Sequence, residues 1–583
     1  MKEFVTSVLL FFSCSVFGQL NFDPDTVFYE HRMGGAIDTF DISNADLPTT
    51  FDGGRSILSQ TGMSTASLFA DITSREMQRF ATYTPLKFSA LPHLGFAYSF
   101  GGQGSQYVRM DYSQAFSERL LFNLKYDRNR ATGYLQNSNF MENDIRAQLQ
   151  KIGQRYSFQL QGSFQSMDAS HSGGITTDSA SLTQLQSFGL EFVTTNKADA
   201  NSLTKLGNLQ LRNYINFSAD TLRHFGLVSN HAYFVTNREY LESDFDLGSI
   251  YDTTYYDTSS TRDQFNWAQV QNSAGVYFSN RKNHFYLDGQ VRHEYWGFQN
   301  LGRTYDTNEV NLLTTARFRF KSFDVVNQAT YNLLGGFNQW SERTDLNFKK
   351  NDLKAKVSLL LKNSAPDPFQ RRYSSNNFQY SLPNIKKQLF LRIAGEVNWK
   401  LKDSVLDVGL KADFSSITST YLFDGVSWFQ SDRDFVFSSI TAKANIKLGR
   451  LHFYPTVIYS FDNEGYLPVF QSYSRLFLKG RLFKAKRLQA LIGVDASYIS
   501  SFNTRVYIPA LDVMDFSSAG NETEGIFNLH AFASFGIQEF RFFVRYENIG
   551  YFWNSTISEE QRGYPIAGTR LRIGVSWDFI NLK

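Results

Sequence analysis

The chain has 583 residues but a single cysteine, Cys14, and only 11 prolines. One thiol can form neither an intrachain disulfide nor a thiolate metal site, so no covalent framework holds the fold together. The nine histidines, among them His284, His293, His452 and His530, are dispersed without metal-ligand spacing. The formal charge of +3 is too small to argue for nucleic acid as a partner. There is no internal run of the ~18–20 apolar residues that a spanning helix needs. With 42% hydrophobic residues and a mean hydropathy of −0.33, the average resembles that of a water-soluble protein. Such an average is blind to one class of membrane protein, whose strands cross a bilayer with about 10 alternating residues each.

Aromatic residues are abundant: 56 Phe, 31 Tyr and 7 Trp, or 16% of the chain. Together with the scarcity of proline this is a strand-forming composition. The closing stretch shows what the aromatics are for. Leu571, Ile573, Val575, Trp577 and Phe579 alternate with Arg570, Arg572, Gly574, Ser576 and Asp578. Successive side chains of a strand face opposite sides, so one face is apolar and aromatic-ended and the other charged. Exposed on a soluble sheet edge, that face would aggregate; facing lipid in a closed barrel, it is at home. The same alternation runs through Tyr156–Phe164, Leu353–Leu361, Ile440–Leu448 and Leu488–Tyr498. These stretches are about 9–13 residues long, enough for a tilted strand to cross a bilayer.

Connections alternate between tight turns (Lys321-Ser322, Lys402-Asp403, Gly449-Arg450, Ile537-Gln538-Glu539) and long loops (Ser364–Lys386, Ser415–Ser438, Ser500–Glu524, Ile549–Gly568). A membrane barrel segregates them, the short ones lying in the periplasm. The expected fold is all-β: a transmembrane antiparallel barrel of about 22–24 strands with long extracellular loops. The number must be even for both termini to lie on one side, and the ambiguity falls between Phe188 and Val276. The Asp-rich loop Glu242–Asp263 matches no calcium-binding spacing and reads as a solvated external loop.

The N-terminus reads as an export signal, residues 1–18, with Lys2, an apolar stretch from Phe4 to Phe17, and cleavage after Gly18. Residues 19–90 are rich in Asp, Thr, Ser and Gly and form a periplasmic or lumen-inserted segment, with a short helix suggested at Met63–Phe80. The barrel is expected over 91–583.

Two stretches, Tyr107–Asn139 and Ser170–Asp178, together with Phe540–Phe552 and the closing GYPIAGTRLRIGVSWDF, resemble the putative porin family of Bacteroidetes-type Gram-negative outer membranes. The closing phrases are also similar to TonB-dependent receptors. The resemblance implies an outer-membrane barrel with a transport function and neither a known substrate nor catalytic residues. Arg572, Gly574, Trp577 and Phe579 resemble the C-terminal signal read by the barrel-assembly machinery, although four residues follow Phe579 here.

Inward rows are expected to carry pore-lining charges: Lys354, Lys356, Arg392, Lys443, Lys447, Asp495, Arg541, Arg545 and Arg572. Such rows either set ion preference or pair across strands and satisfy one another. The expected function is a porin-like channel for diffusion of small polar solutes, without cofactor or catalysis. Its partners are outer-membrane lipid and lipopolysaccharide. One alternative is a TonB-dependent-receptor-like transporter with a reduced plug. Asp25-Thr26-Val27 is similar to the energy-coupling box of such receptors, but 19–90 is too short for their full plug domain. The other alternative is a structural or secretion-associated barrel with a blocked lumen. A barrel this wide needs something to narrow it, and 19–90 is the expected plug, with help from external loops folding inward.

Overall fold

The computed structural model describes residues 92–583 except 118, 177–189, 221, 244–250, 252, 281–283, 302, 337, 383–385, 402–404, 485–486, 504, 516–521, 553–558, 567 and 581–583. The export signal, the segment 19–90, its box-like Asp25-Thr26-Val27 and the suggested helix at Met63–Phe80 lie outside the described residues.

Twenty-two strands form one antiparallel sheet. In chain order they are β1 (His93–Gly101), β2 (Gln106–Ser117), β3 (Leu120–Ala131), β4 (Phe140–Lys151), β5 (Tyr156–His171), β6 (Ala200–Asn216), β7 (Arg223–Glu242) and β8 (Thr261–Asn280). There follow β9 (Phe285–Asn300), β10 (Arg303–Phe320), β11 (Phe323–Leu334), β12 (Trp340–Lys350), β13 (Leu353–Ser364), β14 (Gln388–Lys400) and β15 (Leu406–Thr418). The last are β16 (Phe435–Leu448), β17 (Leu451–Asp462), β18 (Phe470–Leu482), β19 (Leu488–Ile499), β20 (Ile526–Ile537), β21 (Phe540–Glu547) and β22 (Arg570–Ile580). Each strand pairs with its sequence neighbours, and β22 returns to β1 with Phe96 opposite Trp577 and Leu94 opposite Phe579. Closure leaves no unpaired sheet edge, which is what lets strands span a membrane. Twenty-two strands at the usual spacing and tilt enclose a barrel roughly 40 Å across, backbone to backbone.

The ambiguous region holds three strands, β6 to β8, of 17, 20 and 20 residues. They overrun the expected 9–13 because their outer ends continue beyond the lipid band. Loop 415–438 is correspondingly shorter than expected: β15 runs on to Thr418 and β16 begins at Phe435.

The described short turns lie on one rim, and the expected turn Lys402-Asp403 lies outside the described residues. Lys321, Asn351 and Gln538 hold φ of 50°, 50° and 51°, and Gly449 62°. Positive φ at the first turn residue gives the connection the twist that matches two right-twisted strands. The long loops lie on the opposite rim.

The seam depends on one small residue. A side chain at Gly574 would place its Cβ 2.3 Å from the Phe543 ring and 2.8 Å from the Tyr98 carbonyl oxygen. Phe543 occupies that space and packs with Ala97 and Tyr107 inside the wall. Gly574→Val is therefore expected to lower the yield of folded, heat-modifiable barrel, and Phe543→Ala in the same chain to restore part of it. Overpacking of this kind costs about 1–3 kcal/mol. An unchanged yield in the single variant would show that the seam tolerates bulk.

Candidate functional site

Register assigns every side chain of the wall to one face. On β22, Trp577 and Phe579 point to lipid with their rings stacked at 4.4 Å, 46% and 41% exposed. Arg570 and Arg572 point inward and meet Glu547. All nine predicted pore-lining residues fall on inward rows. Most are paired across strands: Lys356 with Asp345, Arg392 with Asp413, Lys443 with Glu396 at 3.2 Å, and Arg541 with Asp578 at 3.3 Å. Arg545 reaches Asp495 at 3.1 Å, and Arg475 reaches the same carboxylate at 2.6 Å. Lys354 and Lys447 have no ion pair among the described residues.

The two sides of the lumen differ. Along β19–β22 the charges are packed away, with Arg545 and Arg572 each 3% exposed. Along β12–β16 they stand in open space: Lys443 is 51% exposed, Lys411 46% and Lys356 44%. Here the inward cations Arg343, Lys349, Lys354, Lys356, Lys362, Arg392, Lys400, Lys411, Lys443 and Lys447 outnumber the carboxylates Asp345, Glu396, Asp407 and Asp413.

Above this wall lies the largest apolar cluster of the described residues, and it belongs to the loops. Tyr373, Phe378 and Tyr380 come from the hairpin Arg372–Ser374/Gln379–Ser381, and Tyr421, Phe423 and Trp428 from Tyr421–Phe423/Trp428–Gln430. Ile508, Ala510, Leu511 and Val513 come from Val506–Ile508/Val513–Asp515. They close on Ala200, Tyr240 and Phe298, which are inward residues at the outer ends of β6, β7 and β9. Met514 packs against two further clusters, one around Tyr507 and Tyr564 and one around Phe435 and Tyr466. The loops thus share one continuous packing.

Its polar fastenings show that this packing crosses the mouth. Arg238 of β7 donates to the carbonyl oxygens of Ala510 and Pro509, which belong to the hairpin rooted between β19 and β20. In a 22-strand ring those roots lie nearly opposite one another. Asp263 of β8 accepts the Asn376 backbone N–H at 2.9 Å, and Asn300 of β9 donates to the Ser374 carbonyl at 2.6 Å. Lys197, Tyr240 and Tyr251 all donate to the Glu242 carboxylate, and Lys197 and Glu242 are each only 1% exposed. Burial holds the Tyr251 phenol well above its ordinary range, so it stays protonated as a donor.

The loop Glu242–Asp263 is thus not simply solvated. Glu242, Tyr251 and Asp263 are buried in this lid, and among the loop's described acidic residues only Asp257 remains in water. There the backbone N–H of Ser259, with the Ser259 and Ser260 hydroxyls, lowers the carboxyl to about 2. Sequence reasoning missed the lid residues, although one signal was present: Phe369, Tyr373, Phe378, Tyr380, Tyr421, Phe423 and Trp428 are too many aromatics for loops that only meet solvent.

A family model described as Putative porin matches residues 87–581. No curated protein matches the chain. Among solved structures, the chain is similar in fold to the FrpB iron transporter of Neisseria meningitidis, with a TM-score of 0.59, 10% identity, and 84% of this chain and 83% of that one covered. The ferric enterobactin receptor PfeA of Pseudomonas aeruginosa gives 0.58, 9%, 84% and 81%. The siderophore receptor PirA of Acinetobacter baumannii gives 0.57, 10%, 85% and 82%.

Proposed function

The chain belongs to the putative porin family of outer-membrane β-barrels, and from that membership we propose that it is a diffusion channel for small polar solutes, gated by its external loops and favouring anions. One observation carries the proposal: the open, cation-rich sector of β12–β16 beneath a lid anchored by specific polar contacts. A water-filled lumen exchanges a solute's hydration for polar wall contacts, and rows of one sign set ion preference. Arg392 is neutralised by Asp413, but Lys354 and Lys447, with the half-exposed side chains of Lys411 and Lys443, remain available to a passing anion. Nothing in this reading calls for catalysis or a cofactor. Entry to the membrane would follow removal of the export signal, with Trp577 and Phe579 presented to the assembly machinery at the lipid-facing end of β22.

A receptor-like reading has one feature in its favour, the aromatic lid, which could close over a captured ligand. Single-channel recording separates the two. In a salt gradient across a planar bilayer, the purified protein is expected to show open steps with a reversal potential of anionic sign. Lys411→Glu with Lys443→Glu should move that potential toward cation preference. A protein that stays silent even when its lid is removed would overturn the channel reading.

A further inference from the structure

The outer face of the barrel is not uniform. Between the aromatic rims, the outward rows of β14–β17 and β19–β22 carry almost only apolar side chains, such as Ile393, Leu410, Ile440, Val457, Ile492 and Val544. The outward rows of β7–β12 differ. His231 of β7 stands opposite Asn272 of β8, their side chains 2.9 Å apart, and Asn272 in turn stands opposite His293 of β9. His293 meets Asn308 of β10 at 3.0 Å. On the far side of the same face, Asn327 of β11 donates to Thr344 of β12 at 2.6 Å and approaches the Glu342 carboxylate at 3.4 Å. Asn308 lies level with Tyr295, its register partner, and the other groups lie on the membrane side of Tyr233, Tyr295, Tyr331 and Trp340, the aromatics that mark the outer rim. Side chains able to hydrogen bond, one of them a carboxylate, are costly against hydrocarbon. Outward polar pairs occur on β3–β4 (Tyr126 with Asn143) and between β6 and β7 (Asn213 with Ser229) as well, but the carboxylate and both bonded histidines lie on these six adjacent strands.

We propose that this face is an interface within the membrane with a second copy of the chain, arranged about a two-fold axis running along the β9–β10 seam. The choice of partner rests on the charge pattern of the face itself. A two-fold contact joins a patch to itself, so each feature must meet its complement at the mirrored position. His231 lies on the third strand to one side of the seam and Glu342 on the third to the other. Each sits eight positions in from the short-turn end of its strand, counted from Arg223 and to Lys350. Rotation about the seam therefore turns the imidazole side of one copy toward the carboxylate side of the other. At the seam itself Val291 and Leu312 are register partners, which supplies an apolar centre inside a polar margin. Ala274, Gly289 and Ala316 around it leave room for close approach.

Cysteine scanning tests this cleanly, because Cys14 is the sole natural thiol and falls in the expected signal. Outer membranes carrying Val291→Cys or Leu312→Cys, treated with a short flexible bismaleimide, should give a band at twice the barrel's mass. Ile492→Cys, on a uniformly apolar face, should not. Mixed expression of His231→Cys and Glu342→Cys should also give the double-mass band. Combining His231→Leu, His293→Leu and Glu342→Leu with Leu312→Cys should reduce the adduct several-fold without lowering the heat-modifiable barrel. An adduct of another mass would overturn the proposal by identifying a different neighbour. Absence of any adduct from well-folded Val291→Cys and Leu312→Cys proteins would overturn it by leaving the face to lipid.

Discussion

A barrel whose hairpins Arg372–Ser381 and Val506–Asp515 are replaced by short Gly-Ser links will conduct several-fold more current than the parent. It will also sensitise cells to antibiotics too large for ordinary channels. The expectation follows from width and from what lies across it. A ring of 22 strands is roughly 40 Å across, and natural barrels of that size carry a plugged lumen. Among the described residues the obstruction is the loop packing, in which Tyr373, Phe378, Phe423, Trp428 and Leu511 form one apolar core. Excising two of its hairpins removes both the anchor of Arg238 on Ala510 and the seat of Asn376 on Asp263. What remains of the core would expose aromatic surface on one side and collapse poorly. The wall should survive, since the excised residues contribute no strand to the 22-stranded sheet. Planar-bilayer conductance and antibiotic susceptibility measure the outcome. Were the shortened barrel to insert in normal amount and conduct no more than the parent, the constriction would lie elsewhere, with the segment 19–90 the next to delete.

The second large effect concerns the buried latch. Glu242→Leu is expected to detach the loops around Lys197 and Tyr251, seen as faster proteolysis from the cell surface and as frequent brief openings in single-channel records. The carboxylate accepts bonds from Lys197, Tyr240 and Tyr251, so its loss leaves a buried ammonium without the carboxylate it is paired with. Breaking a buried pair by removing one partner costs about 3–5 kcal/mol. That is roughly a hundredfold or more in the ratio of open to closed lid. Removing both charges should be far milder, because two apolar side chains of similar size fill the space without an unpaired ion. Lys197→Met with Glu242→Leu is therefore expected to recover most of the closed state. If the single variant matches the parent in both measurements, the pair is not what holds the lid.

Much of the wall was legible in the chain itself. Alternation with period two assigns Lys354, Lys443 or Arg545 to the lumen and Val357, Ile440 or Trp577 to lipid, because each strand's facing is a local property of its backbone. Tight turns such as Gly449-Arg450 are equally local, needing only a residue that accepts positive φ. Register keeps these residues in two rows, and the described turns at Lys321, Asn351, Gly449 and Gln538 hold positive φ. Strand number was less secure, since β7 and β8 run for 20 residues each and their outer halves no longer alternate apolar with polar as lipid demands. The lid and the outer polar face could come only from tertiary structure. Lys197 meets Glu242, and Arg238 meets Ala510, across sequence separations that no pattern encodes. Their contact depends on closure of the ring, which brings loops rooted on opposite walls to one mouth. The same holds for His231, Asn272 and His293. Each is an isolated polar residue in its own strand, and register alone sets them side by side.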